Sequence, residues 1–437
     1  MKSKDCSVKT LKRLLLPTLI SSALTVSGFA SAGPLADLYR MALDNDPQLK
    51  QAEAELMAGL EAPIQGRAGL LPSASLTANT SDTSGGDHTT GYTVSLEQPV
   101  FDAASYYNFK RTEVLAERSN IEFDQAQQTL ILRSIEAYLE VLRALSTLEN
   151  SQAQERALQR RLDQVNAQFE VGLIAVTDVQ EAQAAYDLAV VVRIDAEGEL
   201  QNSYEALERL AGQPYSQVAK LDAEFPIVSV EPADPQVWLE KARQDNLNLK
   251  VAEAQLEITR RNAQAKRSDH LPTVTLGLTH NNNRIHGNSA RDGWNDTNTV
   301  ALRMNMPLYA GGSLNSAQRQ AEHEQIASTH FREDTLRSVT EGTRSLLRTL
   351  QTSVQGVQAR QQSILSRETA LRATEEGFNV GTRNVVDVLQ AEQNLFEARL
   401  AYENARIDHI NALFQFKQTI GTLNPDDLYA LDGWLIP

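Results

Sequence analysis

The chain has 437 residues, with 41 basic and 56 acidic side chains and a formal net charge of −15 at pH 7. This negative charge argues against nucleic acid as a partner, because phosphate backbones bind basic surfaces. The single cysteine, Cys6, leaves no pair for an internal disulfide.

The N-terminus has the pattern of an export signal. Five basic side chains precede an apolar stretch over residues 14–30, and Ala30-Ser31-Ala32 offers small residues for cleavage before Gly33. A membrane anchor is the alternative, but the apolar stretch is short and contains Pro17. We therefore predict that residues 1–32 are a signal peptide, cleaved between Ala32 and Gly33.

The rest of the sequence consists of two similar halves, which indicates an internal duplication. Leu49-Lys50 recurs as Leu249-Lys250 at an offset of 200, and Val171-Gly172 recurs as Val380-Gly381 at an offset of 209. Four prolines mark a linker between the halves, and the stretch from Asn424 onwards is predicted to be irregular. The predicted organisation is a first repeat over residues 33–212, an inter-repeat linker over 213–235, a second repeat over 236–421 and a C-terminal tail over 422–437.

Heptad spacing predicts long helices that pack side by side. No proline interrupts the chain from Gly312 to Val380, which would be about 100 Å of helix at 1.5 Å per residue. The apolar row along this segment is Leu350, Val357, Ile364, Leu371 and Phe378. Gln, Ser and Thr fill many positions between such rows. Narrow stripes of this kind are typical of a bundle or barrel wall that water contacts.

Four short stretches alternate between apolar and polar residues, which predicts strands. They cover residues 73–82, 91–98, 273–280 and 299–306, and the second pair encloses a polar loop over 281–298. The pattern alone fits either half-buried hairpins on a soluble domain or outer-membrane barrel strands. Four strands cannot close a barrel, so in a membrane several chains would have to pool them, and a trimer would give twelve.

Two glycine-containing motifs predict helix-to-helix turns. Gly172 and Gly381 suit the left-handed conformation that ends a helix. Asp178 and Asp387 follow near the start of the next helix, where the helix dipole favours an acid. From the residues alone, helix capping is a sufficient explanation for both acids.

Together these features resemble the TolC family of outer-membrane efflux and secretion proteins. The resemblance rests on the duplicated halves, on the junctions Gln98-Pro99-Val100-Phe101 and Met306-Pro307-Leu308-Tyr309, and on the hairpin motifs at 169–180 and 378–390. It implies a mainly α fold with a small β part. In a homotrimer, four strands per chain would form a 12-strand outer-membrane β-barrel, joined to a long α-helical coiled-coil barrel that crosses the periplasm.

The resemblance also implies a function and partners. The chain would be a passive exit duct in the outer membrane, meeting an inner-membrane pump of the resistance-nodulation-division or ABC type through a periplasmic adaptor (membrane fusion) protein. The residues do not distinguish drug efflux from type I protein secretion.

Matching the hairpin motifs to the family places five residues at a periplasmic gate. Thr177, Asp178 and Arg383 fall at positions that link neighbouring hairpins, and Asp387 falls at a position that forms an acidic ring. Phe378 stands where the best-known member has tyrosine, so a hydroxyl link to Asp178 is missing. That member also has a second acid where this chain has Gln390, which predicts a less acidic entrance.

Motifs of enzymes are absent from the sequence. It contains no phosphate-binding Gly-rich loop, no Gly-x-Ser-x-Gly, no His-Glu-x-x-His and no cysteine cluster. We therefore predict no catalytic centre, no cofactor and no metal site. An exported coiled-coil scaffold or adhesin without a channel is the alternative function, although it leaves the paired amphipathic strands unexplained.

Overall fold

The computed structural model describes residues 33–84, 87–216, 218–286 and 293–436. Its helices are α1 (Pro34–Asn45), α2 (Pro47–Leu60), α3 (Ala62–Ala68), α4 (Ala103–Glu170), α5 (Val176–Ala211), α6 (Pro235–Asp245), α7 (Leu247–Ser268), α8 (Ser313–Asn379), α9 (Val385–Thr419) and α10 (Pro425–Asp432). Its strands are β1 (Ser73–Thr83), β2 (Asp87–Phe101), β3 (Lys220–Leu221), β4 (Thr273–His286), β5 (Gly293–Asn305) and β6 (Leu435–Ile436). The predicted signal peptide, including Ala32, lies outside the described residues.

The protein is mainly helical with a small sheet part, as the sequence predicts. Two helices dominate: α4 has 68 residues and α8 has 67. Each is about 100 Å long at 1.5 Å per residue. Among the described residues, no helix is both long enough and apolar enough to cross a membrane.

The long helices form two hairpins, α4 with α5 and α8 with α9. Contacts between α4 and α9 join the hairpins, and α7 packs against both α4 and α8. Burial along the predicted heptad row of α8 decreases towards the turn: Leu350 is fully buried, whereas Ile364 and Phe378 are half-buried. Along this row, α8 is therefore packed more tightly far from the turn than beside it.

The densest part of that packing contains Leu347, Leu350 and Ile420, with Phe416 of α9 and Trp238 of α6 beside them. The ring centroids of Trp238 and Phe416 lie 5.3 Å apart in an edge-on arrangement. Edge-on aromatic pairs add to the stabilisation that burial alone provides. This cluster ties α6, at the start of the second repeat, to the second hairpin.

The four main strands form one antiparallel sheet in the order β1-β2-β4-β5. Residues that lie opposite each other share a face, and Leu76 lies opposite Val94, Leu278 opposite Val300, and Leu276 opposite Leu302. The other face carries Ser, Thr and Asn. The alternation within each strand thus adds up to a sheet with one apolar and one polar face.

The strands are longer than the sequence predicts. β2 begins at Asp87 and β5 begins at Gly293. β4 extends to His286 and so includes residues 281–286 of the predicted polar loop. Polar residues continue the ladder there because each one finds a backbone partner on the neighbouring strand: Asn282 lies opposite Asp296. Polarity alone therefore did not mark the strand ends.

The prediction of an irregular C-terminal tail is wrong. Residues Pro425–Asp432 form α10. After this helix, Leu435 and Ile436 form β6, which pairs with β3. The side chain of Asn424 accepts a hydrogen bond from the backbone of Asp427, whose carboxylate accepts one in return. This reciprocal cap and the buried Leu428 and Leu431 stabilise a helix of only eight residues.

Replacing Leu350 with Ala should destabilise the helical packing by about 2–5 kcal/mol, because it leaves a cavity where no solvent reaches. Leu365→Ala, on the same helix but 54% exposed, is the matched control. Thermal unfolding of the purified variants measures the difference. Equal losses at both positions would contradict the assigned packing.

Candidate functional site

The two hairpin turns have the same backbone geometry. Gly172 and Gly381 adopt positive φ angles of 74° and 79°. At the first turn, the Gly172 N–H donates to the Phe169 carbonyl and the Leu173 N–H donates to the Gln168 carbonyl, both at 2.9 Å. This pair of bonds closes a Schellman motif, in which a side chain on the glycine would be strained.

The second turn repeats the motif with different residues. The Gly381 N–H donates to the Phe378 carbonyl at 3.0 Å, and the Thr382 N–H donates to the Gly377 carbonyl at 2.8 Å. The Thr382 hydroxyl adds a bond to the same carbonyl at 3.0 Å. Both turns are thus fixed by the backbone, so the side chains around them have defined positions.

Each following helix begins with an acid in its first turn. The Asp178 carboxylate accepts the backbone N–H of Ala175 at 3.4 Å. In α9, the side chain of Asn384 accepts the backbone N–H of Asp387 at 2.8 Å. The Asp178 side chain therefore caps its helix, whereas Asn384 caps α9. Both acids lie in a first turn, where the helix dipole favours their charge.

A small apolar cluster joins the two hairpins near their turns. It contains the buried Leu162 and Val165 of α4, Ala182 of α5 and Val385 of α9. The half-buried Phe378 packs against it. A phenyl ring at this position suits an apolar contact, and it offers no hydroxyl for a hydrogen bond.

The charged residues of the predicted gate are arranged within separate hairpins. An Arg383 guanidinium nitrogen lies 3.6 Å from a carboxylate oxygen of Asp387, and the two side chains are 61% and 38% exposed. Thr177 is exposed, and Asp178 is half-buried. Among the described residues, neither Arg383 nor Thr177 bonds to Asp178 within the chain. The single chain therefore brings together Arg383 and Asp387, and leaves Asp178 with its own helix.

A buried ionic cluster that sequence reasoning missed lies further from the turns. Arg161 of α4 bonds to Glu392 of α9 at 2.8 Å and also to Glu375 of α8, and its second terminal nitrogen bonds to Gln164. Arg161 and Glu392 are 9% and 7% exposed. Three helices from both hairpins thus meet at one guanidinium.

The electrostatics of this cluster are costly to disturb. Burial has the largest effect on the Glu392 carboxyl and raises its pKa despite the neighbouring Arg161. One Glu392 oxygen is buried without a hydrogen-bond partner among the described residues. Burial lowers the pKa of Arg161, but its bonds to both glutamates outweigh that effect and leave the pKa raised. Removing the arginine would leave a buried, uncompensated carboxylate.

A sequence signal for this cluster existed. Arg161 lies in the apolar row of Leu158, Leu162 and Val165, and Glu392 lies in that of Val385 and Leu395. A charge at a core position of a heptad row requires a partner from the facing row. The sequence does not say which rows face each other, so the pair could not be assigned without the structure.

Comparison with known proteins identifies the family. The sequence model of the family described as outer membrane efflux protein matches residues 38–213 and again residues 238–422. The chain belongs to this family. The outer membrane protein TolC of Vibrio cholerae serotype O1 is 37% identical over 96% of this chain and 98% of its own length.

One further relative and one solved structure extend the comparison. The alkaline protease secretion protein AprF of Pseudomonas aeruginosa is 28% identical over 96% of this chain and 91% of its own length. Among solved structures, the outer membrane protein VceC of Vibrio cholerae superposes with a TM-score of 0.76 at 18% identity. The match covers 89% of this chain and 96% of VceC, which shows a shared fold.

Replacing Arg161 with Met should separate the two hairpins, at a cost of about 3–5 kcal/mol, because Glu392 then stays buried without a counter-charge. Hydrogen exchange of the backbone amides around Ala182 and Val385 should be at least tenfold faster. The exposed neighbour Arg160, replaced in the same way, should leave exchange unchanged. Slow exchange retained in Arg161→Met would show that the cluster does not join the hairpins.

Proposed function

We propose that this protein is an outer-membrane exit duct, which passively conducts substrates from an inner-membrane transporter across the periplasm and the outer membrane. The observation that carries the proposal is a two-faced sheet joined to helices of about 100 Å in a member of the outer membrane efflux protein family. The sheet suits a boundary between lipid and water. The helices are long enough to cross a periplasmic space, and family membership supports the outer-membrane location.

We infer that the functional unit is a homotrimer. In the described chain, β1 pairs only with β2 and β5 pairs only with β4, so both edges of the sheet carry unpaired backbone groups. Unpaired edges are not stable in lipid. Three copies joined from β5 to the next β1 would give a closed barrel of twelve strands, an even number in the range of known barrels.

The helices support the same arrangement. In one chain α5 contacts α1, α4 and α9, and α8 contacts α6, α7 and α9, which leaves an outer side on each of α5 and α8. Exposed apolar residues remain on α5, including Leu188 at 64% and Val191 at 52%. Neighbouring copies would cover such residues and complete a helical barrel.

The proposed organisation follows the duplication. Residues 33–212 and 236–421 each supply one strand hairpin and one helical hairpin, and the family matches fall within nearly the same ranges. Residues 213–235 and 422–437 would form a belt around the helices, supported by the pairing of β3 with β6. Residues 1–32 would direct export and then be removed.

We infer that transport energy comes from partners. The sequence has no nucleotide-binding loop, so a pump in the inner membrane would drive transport, and a periplasmic adaptor would join it to the duct. The family model is described as outer membrane efflux protein, and AprF is named as an alkaline protease secretion protein, so we propose either efflux or protein secretion as the transport task.

We propose that the hairpin tips form the gate. Asp178 and Thr177 on one hairpin, and Arg383 on the neighbouring one, would link copies and hold the entrance shut. In the Arg383–Asp387 pair the distance between the charged atoms is long and both side chains are exposed. Such a pair stabilises a protein by only about 0–1 kcal/mol, so Arg383 can exchange Asp387 for Asp178 as its partner. Three copies of Asp387 around one axis would focus negative potential in the pore.

Replacing Leu302 with Arg should impair membrane assembly by about 2–4 kcal/mol if the residue lies near the bilayer centre. Ala301→Arg, one position along on the polar face, is the matched control and should be milder, because it would face water. The heat-resistant trimer in the outer-membrane fraction measures assembly. Equal losses for both variants would favour a soluble hairpin.

Replacing both Asp178 and Arg383 with Ser should loosen the closed tip and raise single-channel conductance in planar bilayers. Asp387→Asn serves as a comparison: it should lower cation selectivity without opening the tip, since it removes charge from the ring alone. Trimer amounts must match the wild type in both cases. Unchanged conductance of the double variant would leave Asp178 and Arg383 with no role beyond the helix ends where they lie.

A further inference from the structure

The first residues after the predicted cleavage site lie against a buried carboxylate. Asp432, the last residue of α10, is 9% exposed, and the backbone N–H of Leu35 donates to its Oδ1 at 3.0 Å. The backbone N–H groups of Ala36 and Gly33 donate to the same carboxylate. An acid from the C-terminal end of the chain therefore caps the first helix.

This carboxylate has no cationic side chain beside it. Among the described residues, no Lys, Arg or His forms an ion pair with Asp432, whereas the buried Asp46 bonds to Arg133 at 3.1 Å. Burial raises the pKa of the Asp432 carboxyl, against the opposing effect of the three backbone donors. A buried carboxylate is costly unless a positive charge faces it.

Gly33 lies very close to the Asp432 carboxylate. Its φ of −67° and ψ of 171° are open to all residues, so the backbone conformation does not require glycine. A Cβ built on Gly33 would lie 2.2 Å from Oδ2 of Asp432. A side chain at position 33 would therefore force the Asp432 carboxylate to move.

We propose that signal removal supplies the missing cation: cleavage between Ala32 and Gly33 creates an α-ammonium that forms a buried ion pair with Asp432. Hydrolysis adds one water across the peptide bond and leaves a carboxylate on Ala32 and an amine on Gly33, which takes up a proton. A free α-amine has a pKa of about 7.7–8.0, and a facing carboxylate favours its charged form. The nitrogen that donates as a neutral amide in the precursor becomes a positive donor in the same position.

The ion pair would fix the first helix in the processed chain. The Tyr215 hydroxyl donates to the carbonyl of Pro34, the residue after Gly33, and Leu35 and Leu38 are fully buried. α1 packs against α4, α5 and α10. Processing therefore stabilises the packing of α1 where the two ends of the chain meet, and an unprocessed or misprocessed chain lacks this contribution.

Reactivity of the N-terminal amine tests the pair directly. The processed wild type, Asp432→Asn and the control Asp426→Asn, an exposed acid on the same helix, are treated with an acetylating ester at pH 7. Peptide mass spectrometry compares labelling of Gly33 with that of the exposed Lys241. We expect Gly33 in the wild type and in the control to react at least tenfold more slowly than in Asp432→Asn. Equal rates in all three proteins, or a mature chain that begins elsewhere, would overturn the proposal.

A second test shifts the N-terminal ammonium by one residue. It separates the effect of the ammonium charge from the capping of α1 by Asp432. One extra alanine before Gly33, produced by moving the cleavage site, moves the ammonium away from Asp432. We expect the thermal midpoint to fall by about 2–4 °C in the wild-type background and to stay unchanged in Asp432→Asn. An equal fall in both backgrounds would overturn the proposal. Neither test measures transport, so their failure would leave the duct proposal untouched.

Discussion

The unpaired backbone groups along the two outer strands constrain everything else in this protein. A β-sheet with an apolar face can enter lipid only if no edge remains, because hydrocarbon offers no hydrogen bonds to free N–H and carbonyl groups. In the described chain, β1 and β5 each have one partner. The proposed trimer follows from that deficit, and the long helices, which continue from the same strands, would then be brought into a ring by the same symmetry.

The helical part meets a different constraint. Long helices with narrow apolar stripes bury little surface, so specific contacts must define how the two hairpins meet. Arg161 supplies one such contact, because it joins α4 to both α8 and α9 from a buried position. The exposed pair of Arg383 and Asp387 at the turn is far weaker. The difference between the buried Arg161 cluster and the exposed pair at the turn suits a proposed gate in which the turn residues move while the helices that Arg161 joins stay together.

Much of the fold could be predicted from local patterns. Heptads and the absence of proline located the segment that forms α8, and period-two alternation gave the apolar and polar faces that the register of Leu276 and Leu302 confirms. Strand ends were predicted poorly, since Asn282 and its neighbours look like a loop until a paired strand is known. The short α10 was missed although its capping residues Asn424 and Asp427 were visible, because eight residues give almost no periodicity.

The site was harder to predict because its strongest contacts join residues that are far apart in the sequence. Arg161 and Glu392 are 231 positions apart, and Gly33 and Asp432 lie near opposite ends of the chain. Local sequence shows that a charge occupies a core position, but only the packing of the hairpins shows which charge faces it. The turn glycines could be predicted from the sequence, because the residues that form their motif are close together in the chain.

The central claim is that three copies of the chain close one sheet. Native mass spectrometry of the processed protein, extracted from the outer membrane in mild detergent, tests it most directly. We expect a dominant species with the mass of three chains that dissociates to single chains only when the protein unfolds. A folded protein found only as single chains would contradict it, because the edges of β1 and β5 would then have to be satisfied without a partner copy.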